Sequence, residues 1–420
     1  MSKIYDLISF YCPNGTLYKT LGELGKFYGG LTGKKKDDFI DGNEKFITYK
    51  NVYSNPALQI DVEDRVKIVS GEKQRTLEYG DIIFTGSSET PDECGISSVV
   101  TVKTDERLYL NSFCFFFRFN EKNVMLPDFA KHLFRSSNLR YQIGKTASGV
   151  TRFNVSKKLM EKVIIPVPPL EVQREIVHIL DSFTLFTAEL TAELTARKKQ
   201  YNFYRDTLIQ KECKSEKVKL NTICEIYDGT HQTPKYTNNG IPFVSVENID
   251  DLYGTQKFIS SEAYAKYKIK PRIGDVFMTR ITAGIIGKCT VVDRDDDLAY
   301  YVSLALLRPN ADVLDSKYLK YYLESGWGRR ELSKWILWDA TPTKINKDDI
   351  GRVLISVPPL DTQKRLVQVI EHFDAICTDL NIGLPAEIEA RQKQYEYYRD
   401  LLLTFAETGS VLMTDRAERN

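Results

Sequence analysis

Little in this sequence points to catalytic chemistry. There are 7 cysteines in 420 residues, at Cys12, Cys94, Cys114, Cys213, Cys224, Cys289 and Cys377. Their number is odd and no two stand as CxxC, which argues against a disulfide framework or a zinc site and leaves buried reduced thiols. The 4 histidines, His132, His178, His231 and His372, are too few and too scattered for a metal site evident from sequence. No dinucleotide-binding fingerprint, GxSxG, HExxH or kinase signature occurs. Residues 29–36 (GGLTGKKK) approach a Walker loop but are one residue short and lack the Ser or Thr after the lysine. Pro91-Asp92-Glu93 begins like a nuclease motif and lacks its Glu-x-Lys. These absences favour a binding or scaffolding protein over an enzyme.

Charge excess and long apolar runs are missing too. Lys and Arg number 58 against 57 Asp and Glu, a net charge of +1, so any contact with nucleic acid must come from local placement of basic residues or from a partner's positive surface. No stretch approaches the ~20 apolar residues of a membrane helix. The opening MSKIYDLISFYC lacks the basic, apolar, small-residue order of a signal peptide, and a cytoplasmic protein is expected. The bulk, 42% hydrophobic and 27% charged, is that of an ordinary globular protein with room for several domains.

What the chain does contain, it contains twice. Residues 163–183 (VIIPVPPLEVQREIVHILDSF) match 353–373 (VLISVPPLDTQKRLVQVIEHF), and 196–209 (ARKKQYNFYRDTLI) match 390–403 (ARQKQYEYYRDLLL). A separation of roughly 190 residues far exceeds a solenoid period of about 20–50, so the chain is a duplicated half-protein. Each copy opens on prolines (Pro166, Pro168, Pro169 in the first) that stop the preceding domain. A helical seam follows with steps of four and three: Ile176, Leu180, Phe183, Leu190, Leu194, Tyr201, Tyr204 and Leu208, with Thr187 and Arg197 filling two positions. The first helix spans roughly 60 Å at about 1.5 Å per residue. The second seam runs Leu366, Ile370, Phe373, Cys377, Leu380, then Ile388, Tyr395, Tyr398, Leu402 and Phe405. Between the two matches it gains about four residues, a stutter-type insertion, at Asn381-Ile382-Gly383-Leu384-Pro385, where Gly and Pro predict a kink or break. Two matching seams predict that the helices pack on each other.

About 150 residues precede each helix, a normal domain length. These segments diverge but share a skeleton of short strands followed by helices, an α+β pattern. Residues 46–52 correspond to 243–249, 80–85 to 274–279, and 111–119 (NSFCFFFRF) to 300–308 (YYVSLALLR), with helical patterns at 126–139 and 316–332. Polar and basic loops recur in matching places. Residues 28–36, with Lys34, Lys35 and Lys36, align with 227–235, with His231, Gln232, Thr233 and Lys235. Residues 146–154, with Thr151, Arg152 and Asn154, align with 339–346, with Thr343, Lys344 and Asn346. Residues 280–288 (RITAGIIGK) add Arg280 and Lys288. Such Gly-rich loops suit phosphate and base-edge contacts, and their recurrence in both halves favours DNA.

The PPLxxQ helix openings at Pro168 and Pro358 and the QYxxYRDxLL endings at Gln200 and Gln394 resemble the specificity subunit of a Type I restriction–modification system, over essentially the whole chain. The resemblance implies an α+β protein: two target-recognition domains joined by two long antiparallel coiled-coil helices, with a pseudo-two-fold internal repeat. The implied organisation is recognition domain 1 at 1–165, helix 1 at 166–213, recognition domain 2 at 214–355, helix 2 at 356–410, and a tail at 411–420. It implies no catalysis in this subunit, which would bind double-stranded DNA and dock two methyltransferase subunits and the restriction/translocase subunits. S-adenosylmethionine, ATP and magnesium would belong to those partners, and no cofactor to this subunit. Two differing domains imply an asymmetric bipartite site with half-sites about one helical turn, roughly 34 Å, apart. The alternatives are a coiled-coil protein-interaction adaptor without sequence-specific DNA binding and, more remotely, a fused enzyme.

Overall fold

The computed structural model describes residues 6–7, 10–13, 15–212, 217–378 and 383–408. These residues form two compact units. One holds the described residues up to Glu189 together with those from Ile388 onward, and the other is Leu190–Glu387.

In the first unit a four-stranded antiparallel sheet runs in the order Gly25–Gly29, Cys114–Phe119, Ile82–Thr85, Ser97–Val99. Both faces of this sheet are covered. Phe115 and Phe117 join Ile82 and Phe84 in one core, while Phe116 and Ile83 join Ile47, Val52 and Leu110 in another. The unbroken apolar run CFFFRF follows from that, since a strand buried on both sides loses its polar alternation. A second sheet pairs Glu44–Ile47 in parallel with Leu108–Leu110 and antiparallel with Arg65–Val66. Leu17–Thr20 pairs with Ile164–Val167, so Pro166 does not stop the domain as expected but lies within this edge strand opposite Tyr18, and the chain leaves the pairing at Pro168 and Pro169.

The second unit repeats this frame. Its four-stranded sheet is Cys224–Asp228, Leu304–Pro309, Val276–Thr279, Cys289–Val291. Ile241–Val244 runs parallel to Ala299–Tyr300, and Lys217–Lys219 pairs with Leu354–Ser356. Tyr28 faces Phe116 as Tyr227 faces Leu306, and Ile82 faces Phe117 as Val276 faces Leu307. The match of 111–119 to 300–308 shifts by one residue, Phe116 standing where Leu306 does and not Ala305; with that correction the frame holds residue by residue. So does a buried ion pair that sequence did not single out. Arg118 grips Asp81 through Nε and Nη2 at 2.7 and 2.6 Å, and Arg308 grips Asp275 at 2.8 and 2.7 Å.

The first long helix, Leu170–Glu212, is continuous, while the second is seen as Leu360–Thr378 and Leu384–Thr408. Gly383 takes a left-handed φ of 87° at the start of the later piece, so a break falls at the expected insertion. Asn381, Ile382 and the tail at 411–420 lie outside the described residues, as do the side chains of the seam candidates Cys377, Leu380 and Phe405. Within the first unit the Arg391 guanidinium lies over the Phe186 ring at 5.0 Å, Phe183 stacks on Tyr398 at 5.3 Å, and Ile176 and Leu180 share a core with Leu402 and Leu403. Residue numbers rise along one helix and fall along the other, so the packing is antiparallel. The second unit repeats the aromatic stack with Tyr204 on Phe373 at 5.9 Å.

Not every expected seam residue is buried. Ile176, Leu180, Leu190, Leu366, Ile370 and Leu402 are, together with Ile209, which the heptad reading passed over. Tyr201, Tyr395, Phe183, Tyr398 and Leu194 are half-buried, and Tyr204 and Phe373 are largely exposed, stacked on each other. The buried aliphatics also do more than seal a coiled coil. Leu180 shares a core with Leu133 and Phe134, and Ile370 with Tyr322 and Leu323, so the same helix face closes the core of the α+β domain.

The repeated motifs are the joints of this arrangement. Gln173, fully buried, donates from Nε2 to the Pro168 and Val124 carbonyls at 2.7 and 3.1 Å and accepts from the Leu126 N–H at 2.8 Å. Gln363 repeats this with Pro358, Val313 and the Asp315 N–H at 2.7, 2.8 and 2.8 Å. The second motif ends in an Asp that caps a domain helix. Asp400 accepts from the Ser137 hydroxyl at 2.6 Å at the start of Ser137–Gly144, and Asp206 from the Gly326 N–H at 3.0 Å at the start of Gly326–Ser333. No helix among the described residues is long and apolar enough to cross a membrane.

Candidate nucleic-acid interface

The polar loops leave the sheets at equivalent points. In the first unit the chain turns out of the sheet at Gly30, where a Cβ would come within 2.0 Å of the Asn111 carbonyl oxygen. Gly229 leaves the second sheet the same way, a Cβ there meeting Tyr301 at 2.5 Å. These glycines are present because two backbones touch, rather than to cradle a ligand. The loop beyond Gly30 carries Lys34, Lys35 and Lys36. Lys35 and Lys36 are exposed. Lys34 departs from the expectation: its ammonium is turned inward and donates to the Lys67 carbonyl and to Glu72, each at 2.6 Å. Lys34 and then Gln74 hold the Glu72 carboxyl down to about 2.

Thr151, Arg152 and Asn154 lie on or beside a small ribbon. Asn154 pairs with Ser148 on one side and Ser87 on the other. Thr151 and Arg152 line a cleft of about 640 Å³ with Tyr49, Tyr53, Ser87 and Phe113. Lys35 and Lys36 line a neighbouring cleft that shares Tyr49 and Phe113. Two loops more than a hundred residues apart in sequence thus meet on one surface, around two aromatic rings.

The second unit builds its surface differently. His231, Gln232, Thr233 and Lys235 are exposed, with the His231 ring 4.0 Å from an Asp228 oxygen. Arg280 is another correction. It is 6% exposed, ion-paired to Asp228, and donates through Nε to the Ile345 carbonyl at 3.2 Å. It ties the stem of the 229–235 loop to residues 280–288 and to the segment ending at Ile345, so it positions loops and does not project from them. Lys288 reaches across the surface to Asp250. Thr343 and Lys344 are partly exposed, and the Lys344 backbone pairs with both Ile281 and Leu337.

That pairing corrects the alignment of the two loops. Lys344 occupies the place of Asn154, because the next residues, Ile345 and Val155, donate to the Arg280 and Gly86 carbonyls respectively. Arg152 therefore corresponds to Pro342, not to Lys344. Asn346 corresponds to Ser156: both sit at the N-cap of a short helix, and the Asn346 amide donates to Asp349 at 3.1 Å. Sequence reading also missed Tyr49, Tyr53, Ser87 and Phe113 in the first unit and the exposed Trp338 in the second. Phe113 was hidden by the apolar run that follows it, where nothing local marks the one ring that is 60% exposed.

The sequence model of the Type I restriction modification DNA specificity domain matches residues 13–197 and again residues 213–390, one copy for each half of the duplicated frame. The chain belongs to the Type I restriction–modification DNA specificity family. Among its relatives is a type I restriction enzyme specificity subunit of Haemophilus influenzae, 30% identical over 273 residues, which are 62% of this chain and 68% of that protein. The specificity subunit of an Escherichia coli type I restriction enzyme is 33% identical over 274 residues, 61% of this chain and 66% of that one. A solved chain from work on complex assembly and conformational transition of the type I R-M system superposes with a TM-score of 0.60 at 21% identity, over 94% of this chain and 98% of the other. The duplicated α+β frame is thus the fold of a specificity subunit, and the divergent loops occupy its two recognition domains.

Proposed function

We propose that this chain is the DNA-reading subunit of a Type I restriction–modification complex, each unit addressing one half of an asymmetric bipartite site. One observation carries the reading: two copies of one folded frame present different side chains at the same place. The first unit offers Lys35, Lys36 and Arg152 around Tyr49 and Phe113, the second His231, Gln232, Lys235 and Lys344. Equivalent loops of differing composition suit two unlike half-sites. Net charge near zero fits a subunit that shares DNA binding with partners.

In this reading the chain has no catalytic centre of its own and acts in the cytoplasm. Two methyltransferase subunits, and through them the restriction/translocase subunits, supply S-adenosylmethionine, ATP and magnesium chemistry. Leu185, Phe203 and Tyr397, exposed at 62, 66 and 60% on the long helices, are apolar surface of the kind a partner would cover. The test is the methylation pattern of DNA treated with the chain and its methyltransferase partner. A split motif with an unread spacer is expected, and replacing residues 1–162 with another family member's first recognition domain should change one half-site only. An unaltered motif after the exchange, or no sequence preference at all, would instead favour the protein-interaction adaptor.

A further inference from the structure

We infer that Arg152 reads a guanine in the half-site addressed by the first recognition domain, and that Ser87 and Phe113 are its positioning residues. This rests on the proposed function and names the chemistry of one contact within it. The Arg152 guanidinium is exposed but not loose. Its Nε and Nη2 both donate to the Ser87 hydroxyl, at 3.3 and 3.1 Å. Its carbon centre lies 5.9 Å from the centroid of the Phe113 ring. Ser87 is itself held: it is 8% exposed, its strand pairs with Asn154, and its carbonyl accepts from the Tyr49 hydroxyl at 2.9 Å. Anchoring the Nε/Nη2 edge leaves the Nη1/Nη2 edge free, with two parallel N–H groups. Guanine presents two acceptors side by side in the major groove, O6 and N7, whereas adenine presents one acceptor and one donor. The free edge therefore matches guanine and opposes adenine.

The cleft also distinguishes base reading from phosphate binding. Arg152 makes no ion pair among the described residues, yet Glu93 lines the same cleft. The Glu93 carboxylate accepts from the Tyr53 hydroxyl at 2.9 Å and the Ser88 hydroxyl at 3.1 Å, and these bonds, Tyr53's first, hold it below its ordinary titration range. A fixed negative charge repels a phosphate, which carries a full charge, far more strongly than the uncharged edge of a base. The exposed Lys35 and Lys36, in the adjoining cleft, are the phosphate contacts of the same surface. The equivalent positions of the second domain carry no such pair: Pro342 stands where Arg152 does, Ser303 where Phe113 does, and Arg280 is buried in its ion pair.

The experiment uses the full chain in complex with its methyltransferase subunits and a DNA library randomised across both half-sites. The wild type should prefer guanine at one first-half position by about 5- to 150-fold, the range for a bidentate pair. R152Q should erase that preference while every other position and the salt dependence stay unchanged. S87A and F113A should weaken the preference at that position alone, and S87T should restore it. K35A/K36A should instead lower affinity for all sequences and reduce the salt slope. Retention of the guanine in R152Q, or a uniform loss of affinity with a smaller salt slope, would assign Arg152 to a phosphate or to nothing and overturn the inference. A wild-type complex that selects no split motif would overturn the proposed function with it.

Discussion

Gln173→Glu is the smallest change that reaches the joint between a long helix and its domain. It alters almost no volume and replaces Nε2 by oxygen. That atom now donates to two buried carbonyls, Pro168 at 2.7 Å and Val124 at 3.1 Å, while Oε1 accepts from the Leu126 N–H. Two carbonyls on one side and an N–H on the other permit only this orientation of the amide. A carboxylate would oppose both carbonyls with negative charge in a site with no exposure, so the variant must fold with the acid protonated. Holding a group of ordinary value ~4.3 neutral at pH 7 costs about 4 kcal/mol, and only about 1 kcal/mol at pH 5. The single O–H then serves one carbonyl and leaves the other unpaired, a further ~1–3 kcal/mol at any pH. The total is about 5–7 kcal/mol at pH 7. For a unit of roughly 200 residues this lowers Tm by about 10–28 °C, at about 2–4 °C per kcal/mol. Thermal melts at pH 7 and pH 5 check it: the deficit relative to wild type should shrink by about half on acidification. A shift under 2 °C, or one equal at both pH values, would refute the argument. Gln363→Glu poses the same test in the second unit.

Leu180→Asp and Ile370→Asp place a charge where wild-type exposure is 0 and 2%, and should destabilise by on the order of 4 kcal/mol or more, read by chemical denaturation. Normal stability in either would contradict the helix-to-domain packing. Arg280→Ala should destabilise the second unit by about 3 kcal/mol, since it strands Asp228, whereas Arg152→Ala should leave stability within ~0.5 kcal/mol and weaken DNA binding. Lys344→Ala should likewise weaken binding without unfolding, measured by DNA titration. The first unit should lose stability in acid. Burial, foremost, holds the His132 imidazole below its ordinary 6.5, and hydrogen bonds from His132 and Lys131 outweigh burial to hold the Asp181 carboxyl below its ordinary 3.8. Both depressed groups stabilise fully above their unfolded values, so stability falls as pH drops below about 6.5 and again below about 4. Tyr321 and Asp374 occupy the corresponding joint of the second unit, so His132→Gln should remove the upper step of a pH-dependent melt. An unchanged upper step would assign it elsewhere.

Much of this was legible before any coordinates. Heptad spacing is a local property of a helix, so Ile176, Leu180, Leu366 and Ile370 marked the packed face without knowledge of the partner. Two matching copies of PPLxxQ and QYxxYRD carried the duplication, and runs such as CFFFRF carried the strands, though not their burial on both faces. What those motifs do was not legible. The glutamine is a clamp on a loop 47 residues away, and the aspartate of the second copy caps a helix 263 residues away.

The candidate surface divides the same way. Loop composition and recurrence placed Lys34 to Lys36, Arg152, His231, Arg280 and Lys344 on one list, because each is basic or polar and follows a glycine or a turn. Which of them face outward depends on partners far along the chain. Lys34 is turned in by Glu72, 38 residues on, and Arg280 by Asp228, 52 residues back, while Arg152 is fixed in a usable orientation by Ser87, 65 residues back. By itself the sequence determined two matching long helices and two unlike domains, since helix periodicity and strand composition are written within a few residues. Only the tertiary structure decided which charges remain exposed, because a charge is neutralised or presented by whatever the fold brings close to it.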